Sequence, residues 1–120
     1  MRDLNDIRLE GLHFAWDDPQ QDLSEYFRRF SEQFAGNMRS QVQVYMLTNY
    51  EKCSVEEHIE RALYRIYKLR EINDGYNPYL MIYDKPSADK RLLHLQRWCN
   101  SKFIYRACPR FEDYRPGKQM

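Results

Sequence analysis

Three times along this chain an extended apolar run ends in polar residues and gives way to large side chains at helical spacing. That alternation admits few architectures. The first run, Leu12-His13-Phe14-Ala15-Trp16, leaves through Asp17, Asp18 and Pro19. The second gathers Val42, Val44, Tyr45, Met46 and Leu47 and leaves through Thr48-Asn49-Tyr50, and the third, Tyr79 to Tyr83, leaves through Asp84-Lys85-Pro86-Ser87. β-Branched and aromatic side chains suit a pleated surface, and the polar clusters end it.

Each run is followed by helical periodicity. Leu23, Phe27, Phe30 and Phe34 line one face of a helix that begins around Asp22 and stops at Gly36. Ser54-Val55-Glu56-Glu57 is a capping box: the Ser54 hydroxyl accepts from a first-turn N–H, and Glu57 reaches back to the cap. Ile59, Leu63, Ile66 and either Leu69 or Arg70 form its expected buried stripe, with Tyr67 at the boundary. A Glu57–Arg61 pair contributes only about 0.2–0.5 kcal/mol, so the apolar face must carry this helix. Gly75 is expected to end it with a positive φ. A third helix turns Leu92, Leu95 and Cys99 inward, with Trp98 on its shoulder. Phe103-Ile104-Tyr105 is too brief to separate a short strand, a helical extension and a packed turn. Arg110 to Tyr114 reads as an ordered return across another element, and residues 115–120 as a frayed tail. The rings of Tyr45, Tyr79 and Tyr83 are expected in the core, their hydroxyls bonded at its edge.

With no low-complexity linker, these passages form a single α/β domain over residues 1–120: a partial (β/α) barrel, or a small curved parallel sheet with covering helices. At 120 residues the chain is short for such a fold to cover its own edges, so the expected partner is a second copy of itself or a protein that supplies the missing half of a barrel.

Composition narrows the function. Hydrophobic residues at 42% and charged residues at 31% build a core and argue against wholesale disorder. A net charge of +1 makes no general case for nucleic acid, although Lys85, Lys90, Arg91, Arg97, Lys102, Arg106, Arg110, Arg115 and Lys118 enrich the last third in cations. Solvation and local ion pairs account for them. Cys53, Cys99 and Cys108 form neither a CxxC pair nor a disulfide framework, and no stretch resembles a secretory signal or reaches membrane-spanning length, which favours a reducing cytoplasm. His13, His58 and His94 lack metal-binding spacing and read as packing, capping or surface residues, and no His–Cys nucleophilic pair follows from sequence proximity. Neither a GxGxxG fingerprint nor a P-loop is present.

Parallel strands collect their outgoing loops at one mouth, which makes Asp17, Asp18, Asn49, Tyr50 and Asp84 the candidate ligand-contacting residues, for a ribose, an amino acid or another polar substrate. Each also has a local use: the aspartates stabilise turns, and Asn49 suits an Asx turn.

Tyr45-Met46-Leu47-Thr48-Asn49-Tyr50, Tyr64-Arg65-Ile66-Tyr67-Lys68-Leu69-Arg70 and Pro78-Tyr79-Leu80-Met81-Ile82-Tyr83-Asp84 together resemble the C-terminal part of a radical S-adenosylmethionine protein of the phage and prophage type. Leu95-Gln96-Arg97-Trp98-Cys99-Asn100 and Arg110 to Tyr114 extend the resemblance, and Leu12 to Asp18 resembles an earlier barrel strand. The resemblance implies relatives that hold an iron–sulfur cluster through CxxxCxxC and cleave S-adenosylmethionine reductively. This chain lacks that motif. The implied role is therefore a noncatalytic fragment or degenerate member. It needs no cofactor alone and forms a cofactor or substrate wall, with Asn49 then Asp17 nearest S-adenosylmethionine, once a partner contributes the cluster. The alternatives are a small oligomeric protein-interaction module and a nucleic-acid accessory domain.

Overall fold

In the computed structural model, which describes residues 12–18, 21–38 and 42–115, three strands pair in sequence order and all in parallel. They are β1 (Leu12–Ala15), β2 (Val42–Thr48) and β3 (Asn77–Ile82), with Leu12 opposite Val42 and Gln43 opposite Asn77. Between and after them run α1 (Ser24–Gln33), α2 (Val55–Ile72), α3 (Lys90–Asn100) and α4 (Lys102–Ala107), with 3₁₀ turns at Lys85–Ser87 and Phe111–Asp113. The result is an open three-stranded parallel sheet, and the expected strand–helix alternation holds throughout. Among the described residues, no helix is long and apolar enough to cross a membrane.

Period-two alternation gives the sheet two faces, and the helices cover one of them. Val42, Val44, Met46 and Thr48 of β2 are buried, while Gln43, Tyr45 and Leu47 between them are half-buried. Phe14 joins the covered side, meeting Phe27 and Phe30 of α1 edge to face at 5.8 and 4.9 Å. The core runs from these rings through Ile66, Leu69 and Leu80 to Leu92, Leu95 and Trp98. Among the described residues, the opposite side has no helical cover. There His13 stacks on Tyr45 at 5.3 Å and Tyr79 meets Tyr45 edge on at 5.5 Å, while Tyr79 and Met81 remain exposed.

Each helix start has a local cause. Asp22 accepts from the Ser24 N–H and hydroxyl ahead of α1, and the Ser54–Glu57 capping box forms with both reciprocal bonds at 3.1 Å. Asp89 caps α3, and the Ser101 hydroxyl accepts from Ile104 to start α4. Phe103-Ile104-Tyr105 is thus helical, and its Tyr105 packs edge to face on Trp98. Phe111 to Asp113 returns over α2, where the Tyr67 hydroxyl accepts from the Phe111 N–H and donates to Glu112.

Several expectations change. Tyr45, Tyr79 and Tyr83 do not enter the core: parity in their strands turns Tyr45 and Tyr79 to the uncovered side, and Tyr83 lies exposed at the exit of β3. α2 is rotated from the expected stripe, so His58, Ala62, Arg65, Ile66 and Leu69 are buried, and Ile59 and Leu63 only partly. Trp98 is fully enclosed rather than on a shoulder, because its Nε1 donates to the Cys108 carbonyl at 2.7 Å. Gly75 is not a positive-φ stop. The helix ends at extended Asn73, and Gly75 is required because a Cβ there would stand 2.6 Å from the Cβ of Met38. Pro19, the N-terminal segment and the tail beyond Arg115 lie outside the described residues.

One edge of the sheet is closed by side chains. The N–H and C=O of Leu80 on the outer edge of β3 are both taken by Asn100 of α3, at 2.7 and 3.0 Å, and Gln96 donates to the same carbonyl. The primary amide imitates a neighbouring strand, which protects an edge that would otherwise invite pairing. Among the described residues, β1 pairs only with β2.

Candidate functional site at the strand exits

The carboxyl ends of the three strands meet in a rim built around a buried guanidinium. Arg65 of α2 is 1% exposed and points at the exits of β1 and β2. Its Nη1 donates to the Trp16 carbonyl at 2.6 Å and to that of Asp17 at 3.4 Å, its Nη2 to Leu47 at 3.3 Å and its Nε to Arg61 at 3.2 Å. A planar fork with fixed donors is what lets one side chain serve several outgoing carbonyls. Burial pushes this guanidinium below its ordinary value, while the negative charges of Glu51, Asp17 and Asp18 pull the other way. Those aspartates therefore help keep a cation under the rim.

The expected ligand residues divide into two kinds. Asn49 has φ 67°, and its Nδ2 donates to the Tyr83 carbonyl at 3.0 Å, lacing the exit of β2 to that of β3. Asp84 has φ 50°, and its carboxylate accepts from the Ser87 hydroxyl at 2.9 Å, holding the 3₁₀ turn. Asp17 and Asp18 are exposed, on the other side of the rim. Tyr50 and Tyr83 meet edge to face at 5.1 Å between the exits of β2 and β3, both more than half exposed.

A second cluster on the rim brings together a cysteine and a histidine that sequence proximity did not single out as a nucleophilic pair. Cys53 Sγ lies 3.5 and 3.6 Å from the two ring nitrogens of His58, and Arg61 Nη1 donates to it at 3.5 Å. Arg61, expected on Glu57, turns instead to this sulfur. The arrangement follows from the cap: with Ser54 as N-cap, Cys53 and His58 occupy the N′ and N4 positions that a hydrophobic staple brings together. The capping box was thus the signal that places them in contact.

Several of the late cations are engaged within the fold. Arg91 pairs with Glu56 at 2.8 Å and with Asp89 at 3.1 Å, and Arg110 with Glu112 while stacking over Tyr67. A cleft of about 620 Å³ lies at the opposite end of the sheet, beside Arg70, Asp74 and Arg106. Its arginines are directed to carbonyls, Arg70 to Pro109 and Tyr105, Arg106 to Asp74.

Cys99 and Cys108 are buried in the helical layer, Cys53 faces His58 and Arg61, and among the described residues no three His, Cys, Asp or Glu side chains gather as metal ligands. No protein-family model, no curated protein and no solved structure matches this chain.

Proposed function

We propose that the chain is a protein-interaction module that buries its uncovered sheet face against a second copy of itself. The observation that carries this reading is the chemistry of that face. His13, Ala15, Gln43, Tyr45, Leu47, Tyr79 and Met81 include no Asp, Glu, Lys or Arg, so two such faces meet without desolvating a formal charge. Tyrosine and methionine are enriched at protein interfaces. With β3 closed by Asn100, association through the face is favoured over strand addition at that edge. From strand spacing and rise, the face covers roughly 300 Å² per copy in projection, below the roughly 800 Å² per partner of a standard specific interface, so only a weak dimer is expected.

Sedimentation velocity over a wide concentration range tests this. The expected result is a concentration-dependent monomer–dimer equilibrium that Tyr79→Glu and Met81→Lys each abolish while leaving the melting temperature unchanged. A chain that stays monomeric at the highest concentrations, or variants that still dimerise, would remove this reading.

A second reading rests on the strand order. Consecutive parallel strands with helices on one side are the arrangement of neighbouring units in a (β/α) barrel, and the bare face then corresponds to a barrel interior. On that reading a partner bearing the missing units continues the sheet from β1. The rim, with Asn49, Asp17, Asp18 and Asp84, becomes a wall toward S-adenosylmethionine, whose iron–sulfur cluster comes from the partner. The chain alone would then show no heat of binding when titrated with S-adenosylmethionine.

A further inference from the structure

The staple at the start of α2 is unusual in what it is made of. Staples bring together two apolar side chains, yet here they are a thiol and an imidazole, with a guanidinium added one turn further along. Cys53 is partly exposed, whereas His58 is 4% exposed and packs its ring against Sγ, which lies 3.5 and 3.6 Å from the two ring nitrogens. Arg61 reaches the same sulfur from the next turn. The site stands at the N-terminus of an 18-residue helix, whose first-turn dipoles favour negative charge. A thiol reacts with electrophiles through its thiolate, and it does so where a neighbour takes the proton and a cation holds the anion.

We propose that Cys53 is a nucleophilic thiol site for small disulfides, with His58 receiving its proton and Arg61 holding the sulfur once ionised. The step is thiol–disulfide exchange. Sγ passes its proton to His58 and attacks one sulfur of the incoming disulfide. A bond forms between Sγ and that sulfur as the original S–S bond breaks, and the departing thiolate leaves with the electron pair and takes a proton from the imidazolium. Cys53 is oxidised and the departing sulfur reduced, so no further reagent is needed. His58 and Arg61 are positioning residues here, since neither touches the disulfide.

The other two thiols cannot resolve the product. Cys99 is 2% exposed, and burial pushes its thiol up to about 12, while Cys108 is 8% exposed and lies against the Arg110 carbonyl. A disulfide formed at Cys53 therefore persists as a mixed disulfide until an external thiol removes it. The chain carries one small reversible adduct on the same rim as the exits of β1, β2 and β3.

The folded chain is mixed with dithiobis-nitrobenzoate, release of the coloured thiolate is followed, and mass spectrometry after oxidised glutathione locates the adduct. One thiol per native chain should react rapidly, at least about tenfold faster than a free cysteine amide under the same conditions, and all three in urea. Cys53→Ser should remove the rapid phase. His58→Gln and Arg61→Gln should each slow it by about tenfold, and Arg61→Lys should restore much of the rate. Because His58 is buried, near-ultraviolet circular dichroism checks that its variant is folded, and the Arg61 pair decides the matter if it is not. A Cys53 no faster than the free amide, or Arg61→Gln at the wild-type rate, would overturn the proposal.

Discussion

Replacing Arg65 should separate two explanations for a buried cation. If the side chain is there to fill space, Met, which is long and apolar, should substitute better than Ala. If it is there to satisfy carbonyls, Met should do no better than Ala: it excludes water and leaves the Trp16 and Leu47 carbonyls unpaired, whereas the void left by Ala admits water to them. A hydrogen bond to a charged group is worth about 1.5–3 kcal/mol. The bond to Trp16 at 2.6 Å is short, while the other three, at 3.2 to 3.4 Å, are weaker. Against that stands the cost of burying the guanidinium, which is felt as the downward push on its proton affinity. The net expectation is a loss of about 3 kcal/mol for Arg65→Met and Arg65→Ala alike, and about half that for Arg65→Lys, which keeps a cation but not the fork. At roughly 4 °C per kcal/mol for a domain of this size, the melting temperature should fall by about 12 °C. Urea unfolding at unchanged slope supplies the free energies. An Arg65→Met variant more than about 1 kcal/mol more stable than Arg65→Ala would refute the carbonyl argument.

Two further perturbations test local devices. Asn100→Leu should cost about 1–3 kcal/mol by unpairing both polar groups of Leu80, and amide exchange at Leu80 should accelerate more than at Met46 in the middle of the sheet; unchanged exchange would show that Asn100 does not close the edge. The Ser54 hydrogen bonds hold the Glu57 carboxyl below the usual carboxylate range, so its stabilising effect is complete above the unfolded value and fades as pH falls through the lower folded one. Thermal melts below about pH 4 should therefore lose less stability in Ser54→Ala than in the parent, and equal losses would contradict the linkage.

What sequence reasoning could reach depended on range. The capping box, the Phe27–Phe30 face and the parallel strands were legible because each is written in neighbouring residues or in a simple period. The direction of the tyrosines was not, since alternation gives two faces without saying which one the helices cover, and aromatic content suggested the wrong one. Nothing in the residues neighbouring Arg65 marks it as buried. Only the packed sheet brings Trp16 and Leu47 to it. Cys53 and His58 were readable in principle, through the staple positions flanking Ser54, had that rule been applied to residues that are not apolar. Asn49 and Asp84 were correctly placed at strand exits, but their left-handed backbones and the bonds they make across the rim depend on neighbours distant in sequence.

The pairing register has a consequence for how this chain acquires its shape. Leu12 meets Val42 and Gln43 meets Asn77, so among the described residues each pairing joins strands consecutive in sequence, and the two loops that must close are of nearly equal length. Closure entropy grows slowly with length, so neither loop has a head start from entropy alone. The order of events is then decided by which intervening helix forms most readily on its own, and α2, the longest and the one with a complete capping box, has that advantage. Assembly should begin with β2, α2 and β3 and admit the first strand last, and the first strand should be the earliest to leave when the protein is warmed.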